Sequence, residues 1–253
     1  MSGVNVEIQS RLYRLRRTIV VVLAFPLALV GTSVSAQERA RYGGQLIILG
    51  MGEPPSYDAH REEAYGVIHT VAPHYSTLLR IHPSDTTGTM PVGDLAETVA
   101  ISTDRLVYTF KLRTGVKFHD GSVLTSRDVK ASYDKIIFPN PGVISARKND
   151  YRAIEAVDTP DESTVRFRLK WPELSLLRKL ASPWNWIYKA DILARDMRWY
   201  ERNVLGTGPF KFVEYVKGSH WAGKKNTDYW DTGKPYPRGL SCNLQRQAGT
   251  LGA

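Results

Sequence analysis

Six histidines, His60, His69, His74, His82, His119 and His220, are the first candidates for chemistry, because a neutral imidazole can move protons or bind a metal near pH 7. None falls in a catalytic pattern. His69 and His74 are five residues apart, off the spacing that stacks two side chains on one helical face, and no H-E-x-x-H occurs. His119-Asp120 sets a base beside a carboxylate, but in a turn such a pair reads as a hydrogen-bonded loop, and no G-x-S-x-G supplies a nucleophile. Cys242 is the single cysteine, which excludes an intrachain disulfide and a cysteine metal cluster. We therefore assign no catalytic residue, no metal ligand and no cofactor.

Binding chemistry has better candidates. Trp184, Asn185 and Trp186 place two indoles around an amide that could stack on a ligand and hydrogen-bond it; burial in the core is the alternative. Glu53, Pro55 and Ser56 lie in Gly50-Met51-Gly52-Glu53-Pro54-Pro55-Ser56-Tyr57-Asp58, just after a strand predicted over Gln45 to Leu49. A strand running into G-x-G suggests a dinucleotide turn, but Pro54 and Pro55 remove two amide donors and favour extended backbone, which excludes it.

The elements around these residues are clearest from Leu106 to Ile137. Leu106, Tyr108, Phe110 and Leu112 alternate with Val107, Thr109 and Lys111, the period of a strand with one face on a core. Gly115 and Gly121 mark two turns, Thr125 and Asp128 have capping-box spacing, and Val129, Tyr133, Ile136 and Ile137 form one helical stripe ended by Pro139. A second strand has Val165, Phe167 and Leu169 on one face and Arg166, Arg168 and Lys170 on the other. Further helices are expected over Glu63 to Leu79, with Tyr65, Ile68, Ala72 and Tyr75 on one side and a break at Pro73, and over Glu173 to Leu180, with Leu174, Leu177 and Leu180 inward.

This pattern resembles the family 5 extracytoplasmic solute-binding proteins of ABC importers. Their strand ending F-x-L-R, turn G-V-x-F-H-D-G and helix opening L-T-x-x-D-V correspond to Phe110, Leu112, Arg113, Gly115, Val116, Phe118, His119, Asp120, Gly121, Leu124, Thr125, Asp128 and Val129. Glu53, Pro54, Ser56 and Asp58 resemble the family's E-P-x-S-L-D-P loop at the edge of the ligand cleft. LGTGPFKF from Leu205 and NTDYW from Asn226 are similar to its G-T-G-P-Y-x-F and N-x-x-Y-W segments. The resemblance implies a mixed α/β, periplasmic-binding-protein-like lobe with an inserted α/β subdomain. It implies first-lobe residues at 37–60 and 155–237, an inserted subdomain at 61–154, an irregular tail at 238–253, and a missing second lobe. It also implies a peptide or other small solute as ligand, ABC permease subunits as partners, a monomer, and closure of two lobes around the solute. A truncated chain impaired in binding is the expectation, with a structural fragment or, more distantly, a secreted hydrolase as alternatives.

The 253 residues, 42% apolar and 23% charged, have a globular balance. Arg11, Arg14, Arg16 and Arg17 precede an apolar run from Ile19 to Val30 and small residues at Val34-Ser35-Ala36. Residues 1–36 thus read as a signal peptide cleaved after Ala36, with no lipoprotein cysteine following, for a periplasmic destination. The net charge of +9 is spread between apolar partners and does not form a nucleic-acid patch, so no nucleic-acid partner is expected.

Overall fold

The computed structural model describes residues 42–244, and the proposed signal peptide and residues 245–253 lie outside them. Strands and helices are mixed along the chain, in keeping with the expected α/β class. In order they are β1 (Gln45–Gly50), α1 (Tyr65–Val71), β2 (Leu79–Ile81), β3 (Pro91–Gly93), β4 (Ala96–Ile101), β5 (Val107–Leu112), α2 (Ser126–Ile137), β6 (Ile154–Asp161), β7 (Thr164–Leu169), α3 (Leu176–Leu180), α4 (Ala190–Arg195), β8 (Phe210–Val216), β9 (His220–Lys225) and β10 (Gly239–Leu244).

One four-stranded sheet runs β4-β5-β7-β6, all antiparallel, and its inner face meets α2. The alternation in β5 and β7 is realised as predicted: Tyr108, Phe110, Leu112, Val165, Phe167 and Leu169 are buried together with the α2 stripe Val129, Tyr133, Ile136 and Ile137. Each such side chain contributes about 1.5–3 kcal/mol on leaving water. The α2 N-terminus is fixed by Asp128, whose Oδ2 accepts the Thr125 N–H at 2.8 Å and the Thr125 hydroxyl at 3.1 Å. Its Oδ1 accepts the Ala190 N–H at 2.8 Å, so the cap also ties α2 to α4.

The second sheet runs β1-β10-β9-β8 and packs Trp221, Cys242 and Leu244 against Tyr75, Trp186, Tyr188 and Tyr200. β1 and β10 are parallel, the one parallel pair among the described strands. The segment Trp186-Ile187-Tyr188 runs between the two cores in extended alternation. Ile187 belongs to the core of the first sheet, and Trp186 and Tyr188 to that of the second.

Four expectations need correction. The tail is not irregular from 238: residues 239–244 form β10, with Leu240, Cys242 and Leu244 inward, a period of two that is hidden if a cysteine is not counted as the small apolar residue it is when buried. The expected boundary between 154 and 155 falls inside β6; β7 pairs with β5 and β6 with β7, which completes the sheet begun by β4 and β5, so the strands to Leu169 go with the inserted segment. The helix of Glu63 to Leu79 is a short α1 followed by a 3-10 turn over Ala72–His74, and its buried face is Gly66, Val67, Thr70 and Val71; Tyr65 is exposed. Pro73 lies in the first positions of that tighter turn, where its missing N–H costs no helical bond. In α3, Leu176 and Leu180 face inward while Leu174 is 82% exposed, because the helix begins two residues after it.

Candidate functional site

Beyond β1 the chain forms a loop, from Met51 to Ala64, anchored along its length. Glu53 Oε1 accepts the Gly218 N–H from the β8–β9 turn at 2.6 Å. Burial, with help from the Glu53 carboxylate, pushes the Tyr215 hydroxyl up to about 12. Ser56 Oγ donates to Glu62 Oε1 at 2.7 Å, and the Tyr57 N–H donates to the Glu201 carbonyl at 3.0 Å. Gly66 lets α1 approach the loop: a Cβ there would stand 2.7 Å from the Glu53 carbonyl oxygen.

The anchor beneath the loop is a buried ion pair. Asp58 Oδ2 meets Lys135 Nζ of α2, and both side chains are almost fully buried. Asp58 Oδ1 accepts the Tyr188 hydroxyl and the His60 N–H, each at 3.0 Å. Burial alone would raise the Asp58 carboxyl, but the Lys135 charge and these donors hold it below its usual range. Burial likewise draws the Lys135 ammonium below its usual value. His60 Nε2 bonds the Trp186 carbonyl at 2.9 Å, and burial followed by the Lys135 charge drives its pKa down to about 3. It is therefore the neutral ring that donates to Trp186. Arg147 completes the clamp, donating to the Ala59 and Glu62 carbonyls at 2.7 Å each while its guanidinium lies 4.2 Å over the Trp184 ring.

Glu53, Pro55 and Ser56 thus share one surface loop, with Pro55 and Glu53 exposed. Trp184 joins them only through Arg147 and Glu62, and it borders a separate open cleft of about 410 Å³ with Arg147, Tyr151 and Arg178. Asn185 and Trp186 do not act as surface binding groups. Trp186 stacks on Tyr75 with ring centres 4.7 Å apart and planes 2° from parallel, and Asn185 Nδ2 donates to the Tyr151 hydroxyl at 2.7 Å and to the Lys179 carbonyl at 2.9 Å. The expectation that this pair reaches a ligand is overturned by their burial in the core. Sequence reasoning missed Lys135 and Arg147; a lysine beside the apolar stripe of α2 was the available signal for the first.

The two tempting turn residues are structural. His119 Nε2 bonds the Gly208 carbonyl at 3.0 Å, and Asp120 pairs with Lys189 Nζ at 2.7 Å and caps its own turn through Ser122. Among the described residues no cluster of three histidine, cysteine or acidic side chains could hold a metal ion.

The braced, exposed loop leaves the carboxyl end of a parallel strand, the end at which open α/β sheets generally place ligands. Residues 90–248 match the family described as Bacterial extracellular solute-binding proteins, family 5 Middle, and the chain belongs to that family. It is 32% identical over 235 residues to Di/tripeptide-binding protein 2 of Pseudomonas aeruginosa, covering 84% of this chain and 43% of that protein. It is 33% identical over 141 residues to the glutathione-binding protein GsiB of Pectobacterium atrosepticum, covering 56% and 27% respectively. Among solved structures, the periplasmic binding protein AgaA of A. tumefaciens R10, in complex with agropinic acid, superposes with a TM-score of 0.72 at 30% identity, over 80% of this chain and 40% of that one. DppA of Helicobacter pylori in complex with the peptide STSA gives 0.72 at 27%, over 81% and 43%. The chain thus spans less than half the length of these relatives, and the lobe-like fold expected from the sequence is confirmed. No described helix is long and apolar enough to cross a membrane.

Proposed function

We propose that this chain is a solute-binding component of an ABC importer, working in the periplasm and taking a short peptide or a similar small solute to the permease subunits. Its role is capture, not catalysis. The observation that carries this reading is the braced loop of Glu53, Pro55 and Ser56 at the carboxyl end of the parallel β1–β10 pair, in a chain of family 5. The peptide- and glutathione-binding names of its relatives support the ligand class. The loop supplies one open wall. A small ligand gains affinity from enclosure, so binding to this wall is weak, with contacts from Glu53, Pro55 and Ser56.

The test is amide-resolved NMR of the chain titrated with a di- and tripeptide pool into the millimolar range. Saturable shifts at Glu53, Ser56 and the Gly218 turn are expected. Shifts confined to the cleft beside Trp184, or none at all, would remove the assignment. Micromolar affinity would overturn the open-wall description.

A further inference from the structure

The side chains of Glu53, Pro55 and Ser56 have a one-sided hydrogen-bonding character. Pro54 and Pro55 carry no amide hydrogen, so two successive donors are missing from the loop backbone. The Ser56 hydroxyl gives its hydrogen to Glu62 Oε1 at 2.7 Å, and toward a ligand it can only accept. Glu53 is exposed, and a carboxylate accepts without donating. These three side chains ask for donors and offer none.

The loop is also acidic at its exposed point, in a chain whose net charge is +9. The Gly218 N–H donates to Glu53 Oε1 at 2.6 Å and so fixes the carboxylate at the surface. Among the described residues no lysine, arginine or histidine pairs with it, not even Lys217 beside Gly218, whereas Glu62 and Glu201 share Arg61. Half-buried Tyr215, pushed up by burial and then by the Glu53 carboxylate, lies beside it, and its ring meets that of Tyr57 edge-on at 6.3 Å. The rings keep water from one side of the carboxylate, where attraction to a cation is screened less.

We propose, on the reading of this loop as the binding wall, that Glu53 receives an ammonium group of the solute, supplied by the free α-amino end of a short peptide or by an amine side chain. An ammonium brings three donors and no acceptor, the complement of the Glu53 carboxylate and the Ser56 oxygen. A solute carboxylate turned to the same wall would meet like charge, with acceptors facing acceptors. A bound peptide therefore lies with an amino group against the loop and its carboxylate away from it.

Amide-resolved NMR of the full chain tests this with three probes: dialanine, N-acetyl-dialanine, and Nα-acetyl-lysine methylamide, whose one ammonium is on the side chain. Saturable shifts at Glu53, Ser56 and Gly218 are expected for dialanine, with N-acetyl-dialanine at least about tenfold weaker. The lysine probe matches dialanine if any ammonium suffices and matches the blocked peptide if the α-amino end is read; either result, beside the preference for dialanine, supports the site and names its source. Glu53→Gln keeps an acceptor for the Gly218 N–H but loses the charge, and should bind the two dialanines alike. Equal or tighter binding of N-acetyl-dialanine to the unaltered chain, a comparison that needs no variant, would overturn the ammonium site and leave the binding wall standing. A preference that survives Glu53→Gln would take the role from Glu53, and no saturable shift of these amides with any probe would remove site and wall together.

Discussion

The indole N–H of Trp221 donates to Nε2 of His74 at 2.8 Å, and this bond decides where the histidine keeps its proton. An indole can only donate, so Nε2 holds the lone pair and Nδ1–H donates to the Phe210 carbonyl at 2.7 Å. Burial drives the His74 pKa down to about 3, because a second proton would have no acceptor in the core.

His60 and His74 therefore make the fold acid-sensitive. Each titrates near 6.5 when unfolded and about 3 when folded, so between those values the unfolded chain binds more protons. Their contribution is complete above pH 6.5 and declines as pH falls toward 3, by about 2 kcal/mol per histidine between pH 7 and pH 5. Urea unfolding at the two pH values reads this directly; equal midpoints would contradict it.

Lys135→Met should cost about 3–5 kcal/mol, because it leaves the buried Asp58 carboxylate without its counter-charge. The pair Asp58→Leu with Lys135→Met should recover much of that loss. Thermal melting of Lys135→Met, of Asp58→Leu alone and of the double variant is the check, and a double variant as unstable as the sum of both single changes would argue against an ion pair.

Asp128→Ala removes the α2 cap and the tie to the Ala190 amide together, for a loss of about 1–3 kcal/mol, more than a surface cap alone. Asp128→Asn can keep one acceptor and should lose about half as much. Denaturant titration ranks the three chains, and a drop confined to a few tenths would mean that the Ala190 bond is weak.

Gly66→Ala should displace the candidate binding loop, since the added methyl would stand 2.7 Å from the Glu53 carbonyl. The expected result is a lower melting temperature together with a shifted Gly218 amide resonance, as the Glu53 bond loosens. An unmoved Gly218 signal would show that the loop is held without this contact.

The sheet and helix of residues 107–137 and 164–169 were legible because amphipathic period, turn glycines and a capping pair agreed there. β10 was not, because its strand character depends on Cys242 packing beside Trp221 and on parallel pairing with β1, nearly two hundred positions away. In the site, the Glu53 to Asp58 loop stood out through its prolines and its family likeness. Trp184, Asn185 and Trp186 misled because aromatic residues serve cores and binding surfaces alike, and only Tyr75 stacking on Trp186 separates the two uses. Lys135 and Arg147 act through partners more than 70 residues distant, a relation that no local pattern carries.

Trp186, Ile187 and Tyr188 turn alternate sides to the two sheets, with Ile187 N–H bonded to the Ser76 carbonyl at 3.1 Å and Tyr188 N–H to Ser132 Oγ at 2.7 Å. Three consecutive residues thus serve as a party wall. Neither side can lose its filling without stripping the plaster from the other, so heat should bring both down in one step.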